Sequence, residues 1–299
     1  MKVLYAVIAL LASVVVALDA VSTEAVMSEF SIHPLTAAGI PALIGGVMLL
    51  LIVFTKNPSF YKKISRTSLV KIAASSVFGS FGLFWWFDAV TRIGASKELL
   101  LGGCTSEVLF VLILSFIFLR ERLKKFEIFG SLLVLAGIFL VAYNPSVLTF
   151  VFSIGEMEAI VSSLCFAFSI ILATNVMKKL GAIDVASLYL TFQGLLLLVS
   201  IFMFQTGIPT STGGIYGIAI LGVISAITVL SYNTSLKKAG ASLTAVVATL
   251  AGIFSIGLQF LTLYVFPSVK LIFPPSFLLA AIGSLLALAG VFLISYKNK

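Results

Sequence analysis

GSLLVLAGIFLVAY, residues 130–143, returns as GSLLALAGVFLISY at residues 283–296. Ten of the fourteen positions are identical and the other four are conservative. A second match pairs VTRIGAS (90–96) with LKKAGAS (236–242), and a weaker one sets the first apolar run against the sixth at an offset near 150. The two stronger offsets differ by seven residues because FPSVKLIFPP (266–275) is longer than the connection at 120–125. The chain therefore reads as two homologous units, 1–145 and 146–299. The glycines of the repeated phrase, Gly130/Gly137 and Gly283/Gly290, stand seven apart, which places small residues on one helical stripe and lets backbones approach closely. Both helices read as scaffold.

Composition says what surrounds the units. Apolar residues make up 61% of the 299 and charged residues 10%, too few polar groups to cover a water-soluble surface. Long, nearly charge-free runs lie at roughly 3–27, 35–54, 69–92, 97–119, 126–143, 156–177, 185–206, 215–236, 243–266 and 276–296. Each is long enough to cross a hydrocarbon core, for which about 20 residues suffice. The expected fold is an all-α polytopic membrane protein of ten transmembrane helices. A unit of five spans ends on the side opposite its start, so its copy enters the membrane upside down, giving a 5+5 inverted-topology repeat. The first twenty residues also carry signal-peptide features, with Leu18-Asp19-Ala20 as a poor cleavage site, but their loss would break the repeat.

The net charge of +8 invites a nucleic-acid reading, which its placement answers. With the N-terminus inside, 16 of the 19 basic residues fall on the cytoplasmic side; only Arg92, Lys97 and Lys270 fall outside. The bias orients the protein in the cell (cytoplasmic, inner) membrane with both termini cytoplasmic. Nucleic acid is not an expected partner; the lipid bilayer is. Cys104 and Cys165 both lie in apolar runs and read as small buried residues. The single His33, before Pro34, has no second ligand in sight, so neither metal nor other cofactor is expected.

Ionisable groups at membrane depth cost about 2.5–3.5 kcal/mol on insertion scales and each needs a reason. Glu107 sits about ten residues from either end of the fourth run, and at 100° per residue shares a stripe with Ser96, Leu100 and Gly103. It reads either as a carboxyl trading a proton for a substrate cation or as a helix tie. Asp19 in the first run has the same two readings; Glu24, nearer the interface, reads as solvated or paired. Asp88, Arg92, Lys97 and Glu98 cluster about the turn between runs three and four, as a rim ion-pair network or an outer gate. Of Trp85 and Trp86, one suits an interfacial belt and the other, Trp86, the wall of a pocket. Ser225, Thr228 and Tyr232 form a polar stripe in the eighth run with Asn233 beside it. Asn175 and Gln193 read as helix ties, and Gln259 is open. The candidate site is Glu107, Asp19, Trp86, Tyr232, Asn233 and Gly103, in a cavity lined by runs one, three, four, six, eight and nine.

The chain resembles the drug/metabolite transporter superfamily, and within it the ten-span EamA-type exporters. FDAVTRIGAS (87–96) is similar to the family's start before span four, and FLRERL (118–123) to its LgErl signature with Arg120 in place of Gly. GSLLVLAGIFLVAY matches the family's fifth helix. Two departures stand out: YVFPSVKLIFPPS (264–276) has no second LgE, and Pro41 stands where many members carry arginine. The resemblance implies export or exchange of small metabolites, amino acids or drugs by alternating access. Deep acids and no deep bases tilt the expected substrate toward zwitterionic or cationic compounds, with a proton as candidate coupling ion. The runner-up is nucleotide-sugar or phosphorylated-metabolite exchange, which would want deep cations. A passive channel would want a continuous polar stripe, and a membrane enzyme paired acids or a histidine cluster near one interface; no enzymatic activity is expected. Oligomeric state does not follow from these residues.

Overall fold

A computed structural model describes residues 2–119, 125–143, 153–177, 179–239, 244 and 247–296. Arg120, Arg122, Lys124, Lys178, Lys297 and Lys299, which carry part of the charge bias, and Gly240–Ser242 of the second motif lie outside the described residues, as do the side chains of Cys104 and Asn175.

Among the described residues the chain is helical and holds no strand. The helices are α1 (Lys2–Phe30), α2 (Pro34–Lys56), α3 (Arg66–Ile93), α4 (Ala95–Leu101), α5 (Glu107–Leu119), α6 (Lys125–Ala142), α7 (Ile154–Met177), α8 (Ala182–Phe204), α9 (Thr212–Ala239), α10 (Ala251–Val265) and α11 (Phe277–Tyr296). Seven of them are long and apolar enough to cross a membrane: α1, α2, α3, α7, α8, α9 and α11. Residues 128–142 of α6 and all of α10 are apolar but shorter. A π-helical turn, Gly102–Ser106, joins α4 to α5 without a break, so helical backbone runs from Ala95 to Leu119.

Local chemistry sets the ends. His33 caps α2, its Nδ1 accepting from Leu35 N at 3.2 Å, with Pro34 in the first turn where a missing N–H costs nothing. The histidine is thus a helix cap. Ser65 caps α3 by accepting from Ser68 N at 3.2 Å. Gly94 ends α3 with φ +80°, and a Cβ there would also collide with the Ile272 carbonyl, so only glycine fits the α3–α4 corner.

The helices pair antiparallel through small residues. Gly39 and Gly46 of α2 meet Leu197 and Thr191 of α8. In α3, Ser75 bonds Ser169 of α7 (Oγ–Oγ 2.9 Å) while Gly82 faces Ser162. Val26 and Phe30 of α1 cover Gly217 and Gly213 of α9. Leu100 of α4 packs on Gly252 of α10. The repeated phrases pack on one another: a Cβ built on Gly130 would lie 2.5 Å from the Gly290 carbonyl oxygen, and one on Gly283 would lie 2.7 Å from the Gly137 oxygen. Between helices in lipid such close backbone contact supplies most of the attraction, because lipid tails are as apolar as leucine.

Gly137→Val places a branched side chain against unyielding backbone and is expected to cost about 1–3 kcal/mol, read as a lower midpoint of thermal unfolding in detergent. Gly257→Ala, where a Cβ meets nothing within 4 Å, leaves the midpoint unchanged or raises it.

Candidate functional site

A cavity of about 170 Å³ lies at the centre of the helices. One wall holds Asp19 and Val16 of α1, Leu83 and Trp86 of α3, Leu99, Gly103 and Glu107 of the α4–α5 segment, and Ala42 of α2. The lining also takes Phe166 and Ser169 of α7, Tyr189 and Gln193 of α8, and Ser225, Thr228, Tyr232 and Asn233 of α9. It reaches Met177, Val185 and Leu236, near the last turn of α7, the first of α8 and the last of α9. All six residues expected at the site, Glu107, Asp19, Trp86, Tyr232, Asn233 and Gly103, are in its lining. Of the two tryptophans, Trp86 is the buried one.

The two lining carboxyls are held differently. Glu107 Oε1 accepts from the Tyr232 hydroxyl at 2.8 Å, a tie from α5 to α9. Asp19 lies beside Thr228, whose hydroxyl donates to the Ile224 carbonyl at 2.9 Å. Asp19 Oδ1 is buried with no hydrogen-bond partner, and so is Nε2 of Gln193.

Several expectations need correction. Glu98 is not in the rim: it is fully buried, accepts from Trp86 Nε1, and takes a second bond from Gly103 N at 3.2 Å. It therefore sets the ring that walls the cavity. The rim instead joins Arg92 to Asp88 (3.0 Å) and to Glu158 of α7 (3.0 Å), and Lys97, itself buried, to Glu156 of α7. Sequence spacing could not find Glu156 and Glu158, which stand some sixty residues further along the chain. Nor is Glu24 solvated. It is buried, and its carboxylate accepts from Ala95 N at 3.1 Å, Gln259 Nε2 at 2.7 Å and Ile272 N at 2.5 Å. One side chain of α1 thus caps α4 and pins both α10 and the connection after it.

The expected stripe of Ser96, Leu100, Gly103 and Glu107 is split by the π-helical turn, whose wider spacing rotates the residues beyond it about the helix axis. Ser96 bonds Gln259 and Leu100 packs on Gly252, both of α10, while Leu99, Gly103 and Glu107 face the cavity. α10 accordingly lines no part of it; α2 and α8 do instead, and Gln193 becomes a wall residue. Among the described residues no group of three His, Cys, Asp or Glu could hold a metal.

Fold and site together define a multi-pass helical membrane protein with a mostly apolar central cavity into which a few polar side chains are set. Residues 3–143 match the EamA-like transporter family, part of the drug/metabolite transporter superfamily, and this match implies a membrane transporter of that type. Members of that family are transporters, not enzymes. No curated protein matches the chain. A solved structure known only as "Crystal structure of protein" shares the fold, with a TM-score of 0.66 and 18% identity over 97% of this chain and 94% of that one.

Glu24→Ala strands two backbone N–H groups, Ala95 and Ile272, each worth about 1–3 kcal/mol when buried unpaired, while Gln259 Nε2 keeps its bond to the Ile272 carbonyl. Its thermal midpoint is expected to fall well below that of Glu29→Ala, a change at an exposed carboxylate of the same helix.

Proposed function

We propose that the protein is a secondary transporter that exports or exchanges a small metabolite by alternating access, built as two five-helix units of opposite sense, 1–145 and 146–299. Counting five spans per unit makes α1 the counterpart of α7, α2 of α8, α3 of α9, the α4–α5 segment of α10, and α6 of α11. The helix pairing supports this count. The α1–α9 contact and the α7–α3 contact are then the same contact seen twice, and α2–α8, α6–α11 and α4–α10 are each their own mates. A two-fold operation exchanges these contacts among themselves, as in a symmetric dimer. Gly130 meets Gly290 and Gly137 meets Gly283, which is what two copies of one helix do across such an axis.

The observation that carries the transport reading is that residues of both units line the cavity, Asp19 and Glu107 from the first and Tyr189, Gln193 and Tyr232 from the second. It extends toward Met177, Val185 and Leu236. Toward the other end, several ties cross from unit to unit: Lys97–Glu156, Arg92–Glu158, and Glu24 with Gln259 and Ile272 N. These ties close that end, and the charge bias puts it outside the cell, so this arrangement faces the cytoplasm. Breaking them while the opposite end packs together gives the outward-facing form. Asp88, Arg92 and Lys97 belong to that outer gate. The substrate class suited to these walls is amino acids or related zwitterionic and cationic compounds. Glu107, tied to Tyr232 across the units, is positioned to couple a proton to their movement. Phosphorylated metabolites suit the cavity poorly, since no basic residue is among its described lining.

The test is counterflow of labelled amino acids and amines in proteoliposomes across a pH series. Glu107→Gln is expected to lose most of the exchange and to flatten its pH profile. Unchanged exchange with an unchanged profile would remove Glu107 from the coupling role.

A further inference from the structure

We infer that the cavity takes an organic monocation with an apolar or aromatic body and a neutral hydrogen-bond acceptor near its ammonium group, and turns away compounds with a free carboxylate. This rests on the transporter reading of the same cavity and keeps only the cationic part of its substrate class, leaving out the amino acids.

Four observations carry it. First, the described lining holds two carboxyls, Asp19 and Glu107, and no lysine, arginine or histidine. A zwitterion's carboxylate would sit beside two acidic side chains with no cation to meet it, a juxtaposition expected to cost about a hundred-fold in affinity. Second, the two carboxyls are not equivalent. Glu107 is held by Tyr232, whereas Asp19 Oδ1 is 95% buried with its residue and has no partner, and the adjacent Thr228 spends its proton on the Ile224 carbonyl. Asp19 is therefore the acceptor left for an ammonium group. Third, Gln193, also buried almost completely, brings an unpartnered Nε2 to the same cavity beside the Tyr189 hydroxyl. An unpaired buried amide is costly unless something accepts from it, and a hydroxyl or carbonyl oxygen suffices. Fourth, Trp86, Phe166, Tyr189 and Tyr232 present aromatic surface on both walls, which favours an apolar body and adds cation–π attraction. The ligand thus spans from α1 of one unit to α8 of the other.

The test is a matched set on the full-length, detergent-solubilised protein by isothermal titration calorimetry. Phenylalaninol carries the ammonium and a neutral oxygen. Phenethylamine lacks the oxygen, phenylalanine replaces it with a carboxylate, and 3-phenylpropionate has the carboxylate alone. Phenylalaninol is expected to bind tightest, phenethylamine several-fold weaker, phenylalanine about a hundred-fold weaker, and 3-phenylpropionate not at all. Asp19→Asn is expected to weaken phenylalaninol at least about ten-fold, and Gln193→Leu to make phenylalaninol and phenethylamine equal. If Asp19→Asn fails to fold, the ranking on the native protein and the Gln193→Leu comparison still decide. Phenylalanine or 3-phenylpropionate binding as well as phenylalaninol overturns the inference, and so does binding of none of the four. Counterflow of phenylalanine with phenylalaninol excluded would overturn it and leave the transporter standing. Phenylalaninol bound at Asp19 but never exchanged across liposomes would do the reverse.

Discussion

Helices that meet in hydrocarbon gain nothing by excluding it, so their association depends on how closely two backbones can come. At the α6–α11 crossing the limit is reached: glycine hydrogens of one helix rest on glycine carbonyls of the other, at Gly130 with Gly290 and at Gly137 with Gly283. Because the two helices carry nearly the same sequence, the contact reads the same from either side. A self-complementary contact between copies implies a two-fold relation, and in the proposed topology that axis lies in the membrane plane. The other helices obey the same constraint. The second helices likewise meet each other, and the first of each unit meets the third of the other.

The polar groups divide by where they stand relative to that arrangement. Toward one end, carboxylates find partners across the interface: Glu156 with Lys97, Glu158 with Arg92, and Glu24 with two backbone N–H groups and Gln259. In the middle, Asp19 and Gln193 have atoms with no partner at all. Ion pairs concentrated toward one end, and an unpartnered acceptor and donor beside the cavity, are the distribution the proposed gate and binding site call for. Trp86 joins the two regions, since its ring walls the cavity while its Nε1 is fixed by Glu98.

Much of this was legible in the residues. The doubled fourteen-residue phrase announced two copies, and its glycines announced close contact, though not that the copies would touch each other. Depth alone selected Asp19 and Glu107, because a carboxyl ten residues into an apolar run has few reasons to be there. Trp86 and the Ser225–Thr228–Tyr232 stripe came from regular helical spacing, which holds in α3 and α9. Spacing failed in the fourth span, where GGCTS widens into a π-helical turn with no local signature that separates it from ordinary helix. That turn sent Ser96 toward α10 and left Glu98 beneath Trp86. Glu156 and Glu158, and the partners of Glu24 at Gln259 and Ile272, were missed for a different reason: the groups that meet come from opposite halves of the chain, and sequence separation carries no record of which residues meet.

The central claim is that the units have opposite sense, and their corresponding loops test it. Ser59 lies between α2 and α3, and Thr210 between α8 and α9, at matching places in the two units and both exposed. Single cysteines at these positions, in a background with Cys104 and Cys165 replaced by serine, can be probed with a membrane-impermeant maleimide on intact cells. Labelling at position 210 and protection at position 59 until the cells are opened is the result expected. Labelling of both from the same side would mean that the units are parallel, and the account would not survive it.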